Sequence, residues 1–491
     1  MPEHSKSMPN QDRLAHHDDA ATRVAADPND PRALLDLAGA SLGMGGTGLA
    51  LPLLERAEST GGRGADVTIT KAETLQVLGL LEDARLTAAE LIGTAPPEIV
   101  MRAKQVNIRC LMLLRRFDEA TAAIGELLRT GGGVAAIELL ADLDEARGDR
   151  AKARDRLRAA LHNPAVGKGS RASIAYKIAR LSDKLGDFDE AFESATLASE
   201  LGGADFDLPA FEAETEALLQ AFAADRIADL PRGTNRDERP VFIVGMPRSG
   251  TTLLEQIICA HPDAAGIQER FEIQMFSELL AGRAGCGFAE AIPTATPAML
   301  DEFAAAYLGM IDDLVPRLDR AAGHEPTSPR RVVNKALNLD RLTGFIGMML
   351  PGARVIVIRR NPLDNLLSVH LNPMSPSANP WTASMEGLVA ARRRFDRLTT
   401  HWQQVLQIPV MTLDYEDLVA DPEPRIRAIL DFLDLPFDEA CLQSHRSDRA
   451  VMTPSRDQVS KPINTQAVER WRRYERHIGP LLEAFPPKSS D

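Results

Sequence analysis

A chain of 491 residues is longer than one hydrophobic core usually organises, so two domains are expected. Hydrophobic residues make up 44% and charged residues 26%, the balance of a globular protein. The formal net charge of −14 argues against a bulk nucleic-acid binder or a protein held on an anionic membrane surface.

Residues 1–20 are polar, with little to bury, and are expected to be disordered. The first 30 residues lack the apolar core of a signal peptide, and no apolar run reaches membrane length. Cys110, Cys259, Cys286 and Cys441 show no C-x-x-C spacing, so neither a zinc site nor a disulfide framework is expected. Together these features predict a cytoplasmic protein.

From residue 21 to 228 the sequence is Ala- and Leu-rich, with helical periodicity and almost no strand signal. Ala50, Ala84, Ala120, Ala153 and Ala191 recur at intervals of 34, 36, 33 and 38 residues. The best-formed copies are Arg116-Phe117-Asp118-Glu119-Ala120, Gly148 to Ala153 and Gly186 to Ala191. Each reads as a turn opening a helix whose small Ala lets a neighbour approach. The segment resembles tetratricopeptide repeats, although their aromatic positions are largely unfilled. A concave solenoid face of this kind could hold a protein partner.

The polar, Pro-bounded stretch 229–239 is the expected linker, and residues 240–487 form the second domain. Its opening is the most informative part of the chain. Val241-Phe242-Ile243-Val244 reads as a buried strand, Gly245-Met246-Pro247-Arg248-Ser249-Gly250 as a tight loop, and Thr251-Thr252 as the start of a helix. A loop of this kind aims unpaired backbone N–H groups and a helix dipole at one spot, which favours a phosphate. Both glycines and the final hydroxyl fit the G-x-x-x-x-G-K-[ST] pattern, but Thr251 stands where nucleotide-triphosphate enzymes carry Lys. Arg248 offers a planar fork within the loop instead.

Helices are expected to about residue 320, then strands at Arg331-Val332-Val333, Arg354 to Ile358 and Val410 to Leu413. Strands alternating with helices imply an α/β, P-loop-like domain with a parallel sheet and its ligands at the carboxyl ends of the strands. Arg360 leaves one strand end and Ser368 follows eight residues on, a guanidinium and a hydroxyl suited to a phosphate monoester. Asn334-Lys335 and Tyr415 leave two others. Glu269 lies 21 residues after Arg248, with Glu272 its nearest rival as a base, and His261 reads as structural.

Pro247-Arg248-Ser249-Gly250-Thr251-Thr252, with Ala260-His261-Pro262-Asp263 behind it, is similar to the opening of the sulfotransferases that use 3′-phosphoadenylyl sulfate (PAPS). The nearest branch contains the tyrosylprotein sulfotransferases and the bacterial enzymes with tetratricopeptide repeats in front. The resemblance implies that Arg248, Ser249, Gly250, Thr251 and Thr252 cradle the donor, and that Arg360 and Ser368 hold its 3′-phosphate. It further implies Glu269 as the catalytic base and Lys335 at the bridging oxygen, with Tyr415 touching the nucleotide. The late stretch Ser455 to Asn464 resembles the family segment that closes over the nucleotide. It gives Ser455 as a hydrogen-bond donor to the transition state, and Gln458, Lys461 and Asn464 as donor contacts. Arg470 stands where the tyrosylprotein enzymes have Lys, and Asn372 replaces a family Arg.

The expected activity is therefore transfer of a sulfuryl group from PAPS to an acceptor hydroxyl, leaving PAP, with no metal required. Protein tyrosine, carbohydrate and lipid hydroxyls all stand open as acceptors. The rivals are a nucleotide kinase or NTPase on the same loop, and a repeat scaffold carrying an inactive PAP-binding domain.

Overall fold

Five short strands form one parallel sheet in the computed structural model, which describes residues 10–62, 64–203, 205–372, 374, 379–446 and 461–487, with no side-chain description for 10–13. They are β1 (Pro240–Val244), β2 (Ala264–Gly266), β3 (Arg331–Asn334), β4 (Arg354–Arg359) and β5 (Val410–Asp414), in the order β2-β3-β1-β4-β5. The expected strands are present, and β2 is an addition. Three small residues carry no strand pattern, yet Ala265 pairs with Val332 and Gly266 with Val333.

The apolar runs behave as strands covered on both faces should. Val241, Ile243, Val333, Ile356 and Ile358 pack into one core with the helices Thr251–Cys259 and Pro422–Phe432. Phe242, Val244, Val332, Val355 and Val357 face the other side, against the helices Pro297–Ala321 and Leu339–Met349. Because all pairs are parallel and in register, the carboxyl ends of the strands emerge along one edge. That edge carries Gly245 to Gly250, Lys335, Arg360 and Tyr415.

Before the sheet, the described residues form twelve helices from Asn10–Ala26 to Leu208–Ala221. Five of them follow a partner helix across a short turn: Thr47–Ser59, Leu81–Ala89, Phe117–Arg129, Arg150–Leu161 and Phe188–Gly202. Ala50, Ala84, Ala120, Ala153 and Ala191 occupy the fourth position of these five helices, and each is fully buried. The helix Asn10–Ala26 stands where disorder was expected through residue 20. Its Leu14 packs against Gly282, and Ala20 is buried, so a polar composition hid one apolar stripe.

The linker stretch runs as loop, tied by Thr234 N to Asp301 Oδ1 at 2.6 Å. It does not separate two cores. One apolar cluster contains Leu51, Leu75, Leu218 and Phe222 from the front helices together with Phe242, Phe276 and Tyr307. At one end of the helical array, Glu272 Oε1 accepts a hydrogen bond from Gly48 N at 2.7 Å, and Arg317 pairs with Glu55. At the other end, Phe192 packs on His370 with ring centroids 4.8 Å apart.

His370 is buried, and burial alone lowers its pKa to about 4. Between pH 6.5 and 4 the unfolded chain therefore binds the extra proton, and the stability His370 gives as a neutral ring is lost as pH falls through that window. At pH 5 the loss is roughly 2 kcal/mol. Urea unfolding at pH 7 and pH 5 should show the wild type losing about that much more than His370→Gln. An equal loss in both would exclude this residue as the titrating group.

Candidate active site

Gly245 and Gly250 let the loop after β1 fold back on the sheet edge. A Cβ at Gly250 would lie 2.5 Å from the Tyr415 ring, and its φ of +103° suits only glycine; one at Gly245 would meet Ser249 Oγ and Ile358. The loop is held from below, where Asn365 Nδ2 donates to Pro247 O at 2.7 Å. Arg248 adopts a left-handed φ of 67°. Its Nε donates to Ser368 Oγ at 3.3 Å, joining two motifs 120 residues apart. Thr251 and Thr252 begin the helix Thr251–Cys259 directly after Gly250.

Arg360 lies beneath this loop, donating from Nη1 to Arg248 O at 2.8 Å and from Nη2 to Ala467 O at 2.6 Å. Its guanidinium sits 4.8 Å from the centre of the Tyr415 ring. Burial and the nearby Arg360, Arg470 and Arg180 lower the pKa of Arg248 to about 10. Burial lowers that of Arg360 as well. Arg360 Nε and Ser249 Oγ are buried without a hydrogen-bond partner among the described residues. Converging cations and unmet donors beside a helix N-terminus are a demand for a polyvalent anion.

A second cluster occupies the β2–β3 side of the same edge. Ile267 N bonds to Val333 O at 2.9 Å and Lys335 N to Gln268 O at 3.1 Å, so the pairing of β2 with β3 continues past the strands. This brings Glu269 Oε1 within 2.8 Å of Lys335 Nζ. The Lys335 side chain is only 1% exposed, whereas Glu269 keeps 33% of its surface open to solvent. Glu272 is fully enclosed and spent on Gly48, so it is no rival to Glu269 as a base. His261 is also committed: Nδ1 accepts from Asp263 N at 3.0 Å, and Nε2 donates to Pro436 O at 2.9 Å.

The late segment is reached only in part. Ser455 and Gln458 lie outside the described residues. Lys461 is exposed, and Asn464 Nδ2 donates to its neighbour Pro462 O at 2.8 Å. Among the described residues, neither is bonded to Arg248. Arg470 is engaged with Asp183 of the helical region, its Nη2 2.5 Å from each carboxylate oxygen. Asn372 donates to Ser368 O at 2.7 Å, a helix-end contact.

Three further residues shape the site without having stood out in the sequence. Glu255, on the cradle helix, is buried, accepts from Gln268 N at 3.0 Å and lies 3.9 Å from Lys335 Nζ. Gln268 has a left-handed φ of 60°, so this bond holds the turn that presents Glu269. Asp364 accepts the backbone N–H groups of Glu469 and Trp471 at 2.7 and 2.9 Å, pinning the late segment to the helix Pro362–His370. Among the described residues no group of His, Cys, Asp and Glu is arranged to hold a metal ion, and no helix is long and apolar enough to cross a membrane.

Comparison with known proteins adds to this geometry. The model of the sulfotransferase family matches residues 240–439. An uncharacterized protein of Aquifex aeolicus is 28% identical over 408 residues, covering 80% of this chain and 52% of that protein. Protein-tyrosine sulfotransferase 1 of Danio rerio is 26% identical over 251 residues, 48% of this chain and 66% of its own length. A solved sulfotransferase domain of the Synechococcus PCC 7002 olefin synthase aligns at 19% identity with a TM-score of 0.34, covering 50% of this chain and 90% of that one. The chain thus spans between half and two thirds of the two curated relatives. The family match begins on the first residue of β1 and takes in both clusters on the sheet edge, so this part of the chain is a sulfotransferase-family domain.

Proposed function

We propose that the chain is a PAPS-dependent sulfotransferase that moves the sulfuryl group onto an acceptor hydroxyl and releases PAP. The observation that carries this reading is the placement of the Glu269–Lys335 pair on the same sheet edge as the Arg248–Ser368–Arg360 cluster. PAPS would supply an activated sulfuryl group with phosphates on both sides of its adenosine. Arg248, Ser249, Gly250, Thr251 and Thr252 are suited to the 5′ side; Arg360 and Ser368 to the 3′-phosphate; Tyr415 to packing beside the nucleotide. Unmet donors on Ser249 and Arg360 fit that charge.

Glu269, partly open to solvent, is placed to take the acceptor's proton, and the Lys335 ammonium to stabilise charge on the departing phosphate. Ser455, Gln458, Lys461, Asn464 and Arg470 would complete the enclosure. The names of several relatives, protein-tyrosine sulfotransferases, favour protein tyrosine as acceptor. The recurrent buried Ala at the fourth position of five helices favours tetratricopeptide-like repeats. Four unpaired cysteines favour a reducing, cytoplasmic compartment.

The test is a pair of measurements on the full chain. PAP at a hundredfold excess over its Kd should stabilise the fold by about 2.7 kcal/mol, seen as a raised Tm, while Mg·ATP should do far less. Incubation with sulfur-labelled PAPS and cell extract should then place label on an acceptor identifiable by mass spectrometry. Preferential stabilisation by Mg·ATP would instead favour a nucleotide kinase or NTPase. PAP binding without label on any acceptor would favour an inactive scaffold.

A further inference from the structure

Arg470, an expected nucleotide contact, takes its partner from the other half of the chain. Asp183 lies near the end of the helix Lys168–Leu185, which Gly186 closes in a left-handed conformation. Its carboxylate takes Arg470 Nη2 on both oxygens and the Tyr474 hydroxyl at 2.8 Å. The Asp183 and Arg470 side chains are only 15% and 19% exposed. The neighbouring cations are otherwise engaged: Arg180 and Lys184 both pair with Glu145 on the helix Gly133–Ala146. Asp183 is thus the carboxylate that holds the Arg470 side chain.

The docking is reinforced on both sides. Phe188 meets Tyr474 edge-on at 5.2 Å, and Phe192 stacks on His477 at 4.9 Å. Asp189 takes His477 Nε2 at 2.7 Å and also pairs with Arg476. From the catalytic side, Asp364 holds the backbone on either side of Arg470. Nε and Nη1 of Arg470 make no hydrogen bond to any described residue. The segment also meets the arginine cluster directly, since Arg360 Nη2 donates to Ala467 O, just ahead of Arg470, at 2.6 Å.

We propose that Asp183 is a positioning residue for the donor nucleotide: it fixes Arg470 beside Arg248 and Arg360, so that the helical region completes the site. A guanidinium on a flexible stem loses rotamer freedom when it binds a phosphate, and an anion that holds it in advance removes part of that cost. The helical array is then part of the enzyme's nucleotide-binding machinery. The inference rests on the PAPS reading above.

The test is PAP binding by calorimetry on the full chain, in the wild type, Asp183→Ala, Asp183→Asn, Asp183→Glu, Arg470→Ala and the Asp183→Ala/Arg470→Ala double variant. Asp183→Ala and Asp183→Asn should each weaken PAP binding about tenfold, and Asp183→Glu should recover part of it. Since Asp183 acts through Arg470, the double variant should bind no more weakly than Arg470→Ala alone. Asp183→Asn keeps the side chain's volume, so it guards against a variant lost to misfolding. A lowered Tm with unchanged PAP affinity in both Asp183→Ala and Asp183→Asn would mean a purely structural contact and overturn the inference. Additive losses in the double variant would overturn it too. Wild-type protein that fails to bind PAP would overturn the donor assignment, and this inference with it.

Discussion

Glu269→Gln should bind PAP as tightly as the wild type and transfer label from PAPS slower by a factor on the order of 10²–10⁴. The side-chain amide still offers an oxygen to Lys335 Nζ, now 2.8 Å from Glu269 Oε1, so the local fold is retained. Glu255, 3.9 Å from the same ammonium, keeps the buried lysine from being left without a carboxylate. What the amide cannot do at neutral pH is accept a proton. Initial rates of label transfer alongside PAP calorimetry separate the two effects. Wild-type turnover in the variant would remove Glu269 from the reaction, and a parallel loss of PAP affinity would make it a binding residue instead.

Arg248→Ala should give the largest loss in nucleotide affinity, roughly 10- to 100-fold for PAP, from one charge-assisted contact worth about 1.5–3 kcal/mol. The same variant should be no less stable than the wild type without ligand. Burial and the neighbouring arginines disfavour the Arg248 cation in the folded chain, so removing it relieves repulsion. A thermal scan with and without PAP reads both: an unchanged or raised Tm alone, and a smaller ligand-induced shift. Opposite signs for stability and binding are what a site prepared for an anion should show. An unaltered shift with PAP would place the phosphates away from this loop.

The two motifs that predict the site were legible because each depends on local geometry. A β-branched run, a glycine whose φ only glycine tolerates, and paired threonines opening a helix specify the cradle without help from the rest of the chain. Asn361, accepting from Leu363 N and Asp364 N, with Pro362 following, likewise announces the helix that carries Ser368. Glu255 and Asp364 were missed for a common reason: they sit on helices as ordinary acids. Their partners, Gln268, Lys335 and Trp471, come from 13 to 107 residues away.

The sequence alone was enough for the alternation of helix and strand, the glycine-bounded turn after β1 and the recurrent alanines, since hydrophobic period and backbone-restricted residues act over a few positions. Only the folded chain decided that three small residues at 264–266 would pair as a strand, since the β3 edge supplies the hydrogen bonds that Ala-Ala-Gly does not encode. That pairing places Glu269 against Lys335. The packed chain likewise decided that the helical and α/β regions share one core and meet at Asp183 and Arg470. Contacts between distant segments depend on packed shape and charge, and neither periodicity nor spacing records them.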